Sequence, residues 1–421
     1  MKTSAWAWIP TLYFAQGIPY VAVMALSVIL YKNLGVSNTD IALYTSWLYL
    51  PWVVKPLWSP LVDLLRTKRF WIVTLQLAIG AAFAAVALTL PLAAFFQATL
   101  AVFWLLAFSS ATHDIAADGF YMLGLVPHEQ AALVGVRSAF YRVAMIAGQG
   151  GLVWIAGTVG EHTGDVRLAW GLVFFLLAAM FAVLGIYHRF VLPRPASDVP
   201  AAREATLFAQ FLETFATFFA RRDIVAVLAF LLLFRLGEAQ ALKLITPFML
   251  DPLDKGGLAL TTAQVGLAYG TIGVLALTLG GLAGGYAISR HGLKRWLWIM
   301  VLAVHVPNLA FVWLATAQPH DVALVTAAIA IEQFGYGFGF AAYLLFMIMV
   351  SDGPRKTAHY ALCTGFMALG MMLPGMASGW IQEQLGYRDF FLWVCLATLP
   401  AFISTAFIHV DPAFGRKPRD A

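Results

Sequence analysis

The chain has 421 residues, 61% of them hydrophobic and only 11% charged, with a mean hydropathy of +0.81. So few polar side chains cannot cover a water-soluble fold, and apolar runs of ~20 residues exceed what the short alternating strands of an outer-membrane barrel need. The net charge of +5 does not point to nucleic acid, because the basic residues collect in short loops between apolar runs, as membrane orientation requires.

The chain therefore reads as an all-α integral membrane protein, and hydropathy predicts twelve transmembrane helices. In chain order they cover about 8–31, 39–65, 69–91, 98–124, 129–158, 167–190, 223–250, 262–289, 294–316, 321–350, 356–383 and 388–410. The first span follows the N-terminus directly and reads as a retained signal-anchor. Twelve spans put both termini on one side. That side carries seventeen Lys and Arg, among them Lys2, Arg66, Lys68, Arg69, Arg203, Arg221, Arg222, Arg290, Lys294, Arg295, Arg355, Lys417 and Arg419, whereas the opposite loops hold only Lys32, Arg167, Lys255 and Arg388. The bias predicts cytoplasmic termini.

The longest connection divides the chain into an N-terminal six-helix bundle (1–190), a cytoplasmic linker (191–222) and a C-terminal six-helix bundle (223–421). The linker opens with Pro193, Pro195 and Pro200. Leu207, Phe208, Phe211, Leu212, Phe215, Phe218 and Phe219 then recur at helical spacing, as in a helix lying flat on the membrane surface. The two halves repeat each other. Ser37-Asn38-Thr39-Asp40 opens span 2 as Thr261-Thr262-Ala263-Gln264 opens span 8, and Gly148, Gly157 and Gly164 recur as Gly370, Gly379 and Gly386. Near-constant offsets predict two six-helix repeats with a solute cavity near the midplane.

Charges inside spans are costly and mark function. Span 2 carries Lys55, span 4 Asp114 and Asp118, span 5 Arg137 and Arg142, span 7 Arg235, Glu238 and Lys243, and span 10 Glu332. Asp114 and Asp118 share a helical face, and two close carboxylates in low dielectric resist ionising together. They are candidates for proton coupling, as is Glu238 of span 7; the alternative for the two aspartates is that they only neutralise Arg137 or Arg142. His113 adjoins Asp114 but points elsewhere and reads as a satisfied polar residue. Tyr13, Gln16 and Tyr20 in span 1, and Gln333 and Tyr336 beside Glu332 in span 10, offer rings and amides to a saccharide. With Lys55, Arg142 and Arg235 they are the candidate cavity residues, against a plain packing role. Cys363 and Cys395 lie inside spans and predict no disulfide. No metal-ligand spacing, phosphate loop, dinucleotide fingerprint or nucleophile–base pair is present. A secondary transporter without cofactor or catalytic residues is expected, taking a small solute and protons as partners in the bilayer, as a monomer.

The loop after span 8, Gly285-Tyr-Ala-Ile-Ser289-Arg290-His-Gly292-Leu-Lys294-Arg295, resembles the major-facilitator loop motif, with Ser289 where an acid is usual. The loop after span 2 keeps Asp63, Lys68 and Arg69. The resemblance implies that these residues clamp the cytoplasmic helix ends. Phe14-Ala-Gln-Gly17-Ile-Pro19, Lys55-Pro56-Leu57-Trp58-Ser59-Pro60, His113-Asp114-Ile115-Ala116-Ala117-Asp118 and Phe234-Arg235-Leu236-Gly237-Glu238 resemble the AmpG muropeptide permeases and the related acetyl-CoA transporter family, with His113 in place of a common glutamine. That likeness implies the major-facilitator fold, a bacterial inner-membrane location and proton-driven import of an amino sugar or anhydro-muropeptide by alternating access. A ferric-siderophore or other saccharide permease is the alternative within the fold. A receptor or a membrane acyltransferase is the alternative outside it.

Overall fold

The computed structural model describes residues 4–200, 206–353 and 356–416, leaving aside the side chains of Pro60, Asp63, Pro127, His128, Ala131, Ala132, Val134, Thr357 and residues 206–212. The bases Lys2, Arg203, Arg355, Lys417 and Arg419, the Asp63 carboxylate and the apolar face begun by Leu207, Phe208, Phe211 and Leu212 lie outside the described residues.

Among the described residues every regular element is helical, and ten helices are long and apolar enough to cross a membrane. The expected spans 2, 11 and 12 take another form. Span 2 consists of two shorter helices, Asn38–Trp47 and Leu50–Leu65. The chain turns at Leu48–Tyr49, so Pro51 falls in a first helical turn, where its missing N–H costs nothing. Spans 11 and 12 form one apolar stretch, Ala358–Phe407, whose course changes at Gly386 (φ 76°, ψ 167°).

The helices pack into two compact units. One comprises residues 1–35 and 57–204, the other 36–56 and 205–421. Residues 36–56, expected in the N-terminal bundle, thus pack with the second unit, and the linker divides between the two. In the first unit, α1 (Ala5–Asn33) lies along α2 (Pro127–Ile146), and α3 (Lys68–Thr89) packs between α4 (Phe95–Gly124) and α5 (Val166–Val191). Trp8, Leu12, Tyr13, Phe120 and Tyr121 form part of its buried core. The approach of α1 to α2 depends on Gly17, where a side-chain carbon would meet Ala144 Cβ at 2.7 Å.

In the second unit, Asn38–Trp47 and α6 (Leu236–Leu250) both pack on α7 (Lys356–Leu396), while Thr262–His291 and Leu293–His305 both pack on Val322–Val350. The repeated sequence marks have matching structural roles. Ser37 Oγ accepts from Asp40 N at 3.0 Å, and Thr261 Oγ1 accepts from Gln264 N at 3.3 Å, so each caps its helix. Gly164 (φ 69°) and Gly386 (φ 76°) both take positive φ, a region that favours glycine.

Candidate functional site: a charged cluster in each unit

In the first unit the Arg137 guanidinium meets Asp118 Oδ1 at 3.0 Å, with about a third of each side chain exposed. Tyr13 OH donates to the same oxygen at 3.3 Å. The guanidinium lies over the rings of Tyr13 and Tyr121, 4.6 Å and 5.5 Å from their centroids. A cation over an aromatic face is attracted to the ring's negative quadrupole. Three helices thus converge on one ion pair: α1 brings Tyr13, α4 brings Asp118 and Tyr121, and α2 brings Arg137. Asp118 has the partner expected of a structural acid, a cation on the next helix. Asp114 is half-buried on the same helix. Gln16 is buried in α1, its Oε1 unpaired, while Tyr20 and Arg142 are half-buried.

The second unit holds its cluster in the interior. Span 7 is broken between Ile224–Leu233 and α6, with Arg235 at the break and Glu238 in the first turn of α6. A helix N-terminus favours a carboxylate there, and the break frees Arg235 to fold back on it. Arg235 Nη2 and Nε donate to Glu238 Oε1 and Oε2 at 2.6 Å and 3.1 Å. Arg235 Nη2 also donates to Tyr336 OH at 2.6 Å, and the guanidinium sits 4.9 Å from the Phe340 ring centroid. Exposure falls to 8% and 3% for the two charged side chains. Glu332 is buried beside them and accepts from Gln333 Nε2 at 2.8 Å. Lys55 is half-buried in this unit.

The loop motifs differ. After span 2, Asp198 of the linker accepts from Lys68 N at 2.7 Å and Arg69 N at 3.1 Å, capping α3. Arg69 donates to the carbonyls of Leu192 and Arg189. Asp198 is buried, and its place among prolines gave no sign of this function. After span 8, Arg290 lies over the Tyr286 ring, Gly285 is half-buried, and Lys294 and Arg295 are exposed. Among the described residues none of these three bases has an ion-pair partner, and Ser289 stands where the motif has its acid. His113 joins a buried chain: its Nε2 meets Gln76 Nε2 at 3.1 Å, Gln76 Oε1 meets His188 Nδ1 at 2.8 Å, and His188 Nε2 meets Thr11 Oγ1 at 2.9 Å.

The profile of the Major Facilitator Superfamily matches residues 11–362. The chain belongs to that superfamily. It is 27% identical over 397 residues to the anhydromuropeptide permease of Escherichia coli K12, covering 93% of this chain and 77% of that one. It is 24% identical over 412 residues to the putative transporter AmpG 4 of Rickettsia conorii, with 94% of each covered. Among solved structures, the nucleoside transporter NupG (D323A mutant) aligns with a TM-score of 0.72 at 17% identity over 95% of this chain and 99% of that one. A D-xylose-proton symporter aligns at 0.69 and 12% identity over 96% of each. This major-facilitator chain is therefore a multi-pass membrane transporter, and the likeness to AmpG permeases expected from its motifs extends over most of its length.

Proposed function

We propose that this chain imports an amino sugar or anhydro-muropeptide-type solute across the bacterial inner membrane by proton-coupled alternating access. The reading includes twelve spans in two repeats, joined by the 191–222 linker, with both termini in the cytoplasm. The observation that carries it is the similarity to an anhydromuropeptide permease over 93% of the chain, which includes the charged segments of spans 4 and 7. Coupling is assigned to the Asp118–Arg137 pair, with Asp114 on the same helix. Protonating Asp118 would release Arg137 and weaken the tie among α1, α4 and α2. A proton and the position of three helices would then be linked through one bond. Glu238 is held by Arg235, and Tyr13, Gln16, Tyr20, Lys55, Arg142, Arg235, Glu332, Gln333 and Tyr336 are assigned to the solute path.

The test is uptake into proteoliposomes. Purified protein should concentrate labelled 1,6-anhydro-N-acetylmuramic acid when a proton gradient is imposed, and should exchange it by counterflow without one. Asp118→Asn should abolish concentration and keep counterflow. Failure of counterflow would reject a carrier of this solute; uptake of a ferric siderophore with no response to any sugar would move the substrate class. Undiminished uphill uptake by Asp118→Asn would move the proton site away from α4.

A further inference from the structure

Span 7 carries a second buried cation whose environment differs from that of Arg235. Lys243 lies eight residues further along α6 and is 4% exposed. Its Nζ donates to Thr45 Oγ1 at 3.0 Å and stands 5.0 Å from the centre of the Tyr49 ring. Among the described residues no carboxylate lies within ion-pair distance of it. Next to Thr45, the buried Ser46 Oγ has no hydrogen-bond partner. Both hydroxyls come from Asn38–Trp47, and α7 completes the enclosure with Gly375. A side-chain carbon at Gly375 would come 2.8 Å from Ser46 Oγ and 3.3 Å from Lys243 Cγ, so the bare glycine lets α7 lie directly against these two groups. All these residues belong to the second unit.

A buried ammonium satisfied by one hydroxyl and one ring face has donors to spare. A charge in such a place is costly unless an opposite charge arrives. Together with the unpaired serine hydroxyl, this is a donor set suited to an anion.

We propose that Lys243 and Ser46 bind an anionic group, of carboxylate type, on the transported solute, with Thr45, whose hydroxyl donates to the Ile41 carbonyl at 2.6 Å, holding the ammonium in place. The proposal rests on the reading of this chain as a carrier of an acidic sugar and assigns the acid to Lys243. Arg235 is already neutralised by Glu238, so the net positive charge of span 7 resides at Lys243. Tyr49 adds a ring face on which the carbon skeleton next to the acid can lie.

The experiment measures binding by calorimetry to the full-length protein in detergent, with N-acetylmuramic acid and its methyl ester as probes. The wild type should prefer the acid at least tenfold. Lys243→Met should erase that preference while keeping ester affinity within twofold, and Lys243→Arg should restore part of it. Lys243→Met should also leave the thermal midpoint of the unliganded protein unchanged or raised, since it removes an unmatched buried charge. Thr45→Val, which keeps the lysine, should weaken acid binding three- to tenfold and serves if the methionine variant does not fold. An unchanged acid-to-ester ratio in Lys243→Met overturns the site and leaves the solute class standing. D-Lactate and inorganic phosphate form the second arm. If no sugar binds, stabilisation by either anion that vanishes in Lys243→Met upholds the site and rejects the sugar, whereas stabilisation that persists rejects the site.

Discussion

The two units contain the same chemical set at different depths. Each has one guanidinium, one carboxylate, a tyrosine hydroxyl on the pair and an aromatic face against the cation: Arg137, Asp118, Tyr13 and Tyr121 in the first, Arg235, Glu238, Tyr336 and Phe340 in the second. The first pair keeps about a third of its surface exposed, the second almost none. Where that exposed surface meets water, the first pair is screened and solvated, so either partner can lose the other at lower cost. In the second, each charge depends chiefly on its partner, because a tyrosine hydroxyl and a ring face on the arginine replace only part of the lost hydration. Depth therefore separates a pair suited to opening and closing from one suited to fixing a broken helix.

The largest effect is expected where burial is deepest. Glu238→Gln leaves Arg235 uncompensated and should cost about 3–5 kcal/mol, read as a large drop in thermal midpoint. Replacing both partners with apolar residues, Arg235→Met with Glu238→Leu, should recover most of that loss. If the single variant melts like the wild type, burial is not what distinguishes the two clusters.

The next effect belongs to the loop after span 2. Asp198→Ala removes the acceptor of two amides at the start of α3 and should cost about 1–2 kcal/mol. The loop after span 8 has no such acid, so Ser289→Ala, which removes only a bond to the Tyr286 carbonyl, should change stability far less. Equal costs at the two positions would mean that the linker does not hold the first loop.

What could be read from the sequence followed from rules acting along a helix. Apolar length gave the membrane class, and the cap residues Ser37 and Thr261 and the glycines 164 and 386 marked a repeat whose caps and positive φ values are seen in the structure. Arg235 and Glu238 stand three apart on one span, a spacing at which two helical side chains meet. Contacts across helices were not legible. Asp114 and Asp118 looked alike in sequence, yet Asp118 is tied to Arg137, nineteen residues on in the chain and on another helix. Asp198 lies in a proline-flanked linker whose composition does not show that it folds back 130 residues to Lys68. Lys243 was visible as an intramembrane charge, but only packing shows that Thr45, rather than an acid, receives it. Span 2 misled for a simpler reason: hydropathy registers apolar length and is blind to the turn that precedes Pro51.

The smallest effect extends the comparison of depth to a third pair. Arg221 donates from Nε to Asp223 Oδ1 at 3.0 Å and from Nη2 to Oδ2 at 3.1 Å, just before Ile224–Leu233, and the side chains are 29% and 46% exposed. The hydrogen bonds from Arg221 hold the Asp223 carboxyl below its ordinary value of about 3.8, against a smaller opposing effect of burial. A pKa lowered by folding stabilises fully above the unfolded value and loses that stabilisation as pH falls through the folded one. Asp223→Asn should therefore lower the thermal midpoint slightly at pH 7, by the equivalent of under ~1 kcal/mol, and its deficit should shrink to nothing as the wild-type Asp223 carboxyl becomes protonated in acid. Arg221→Ala should cost more, since Arg221 Nη1 also donates to the Val350 carbonyl at 2.7 Å. Added salt should narrow the Asp223→Asn deficit and leave that of Glu238→Gln nearly unchanged, because screening reaches exposed charges and not buried ones. A salt response equal at the two sites would break the ordering by depth.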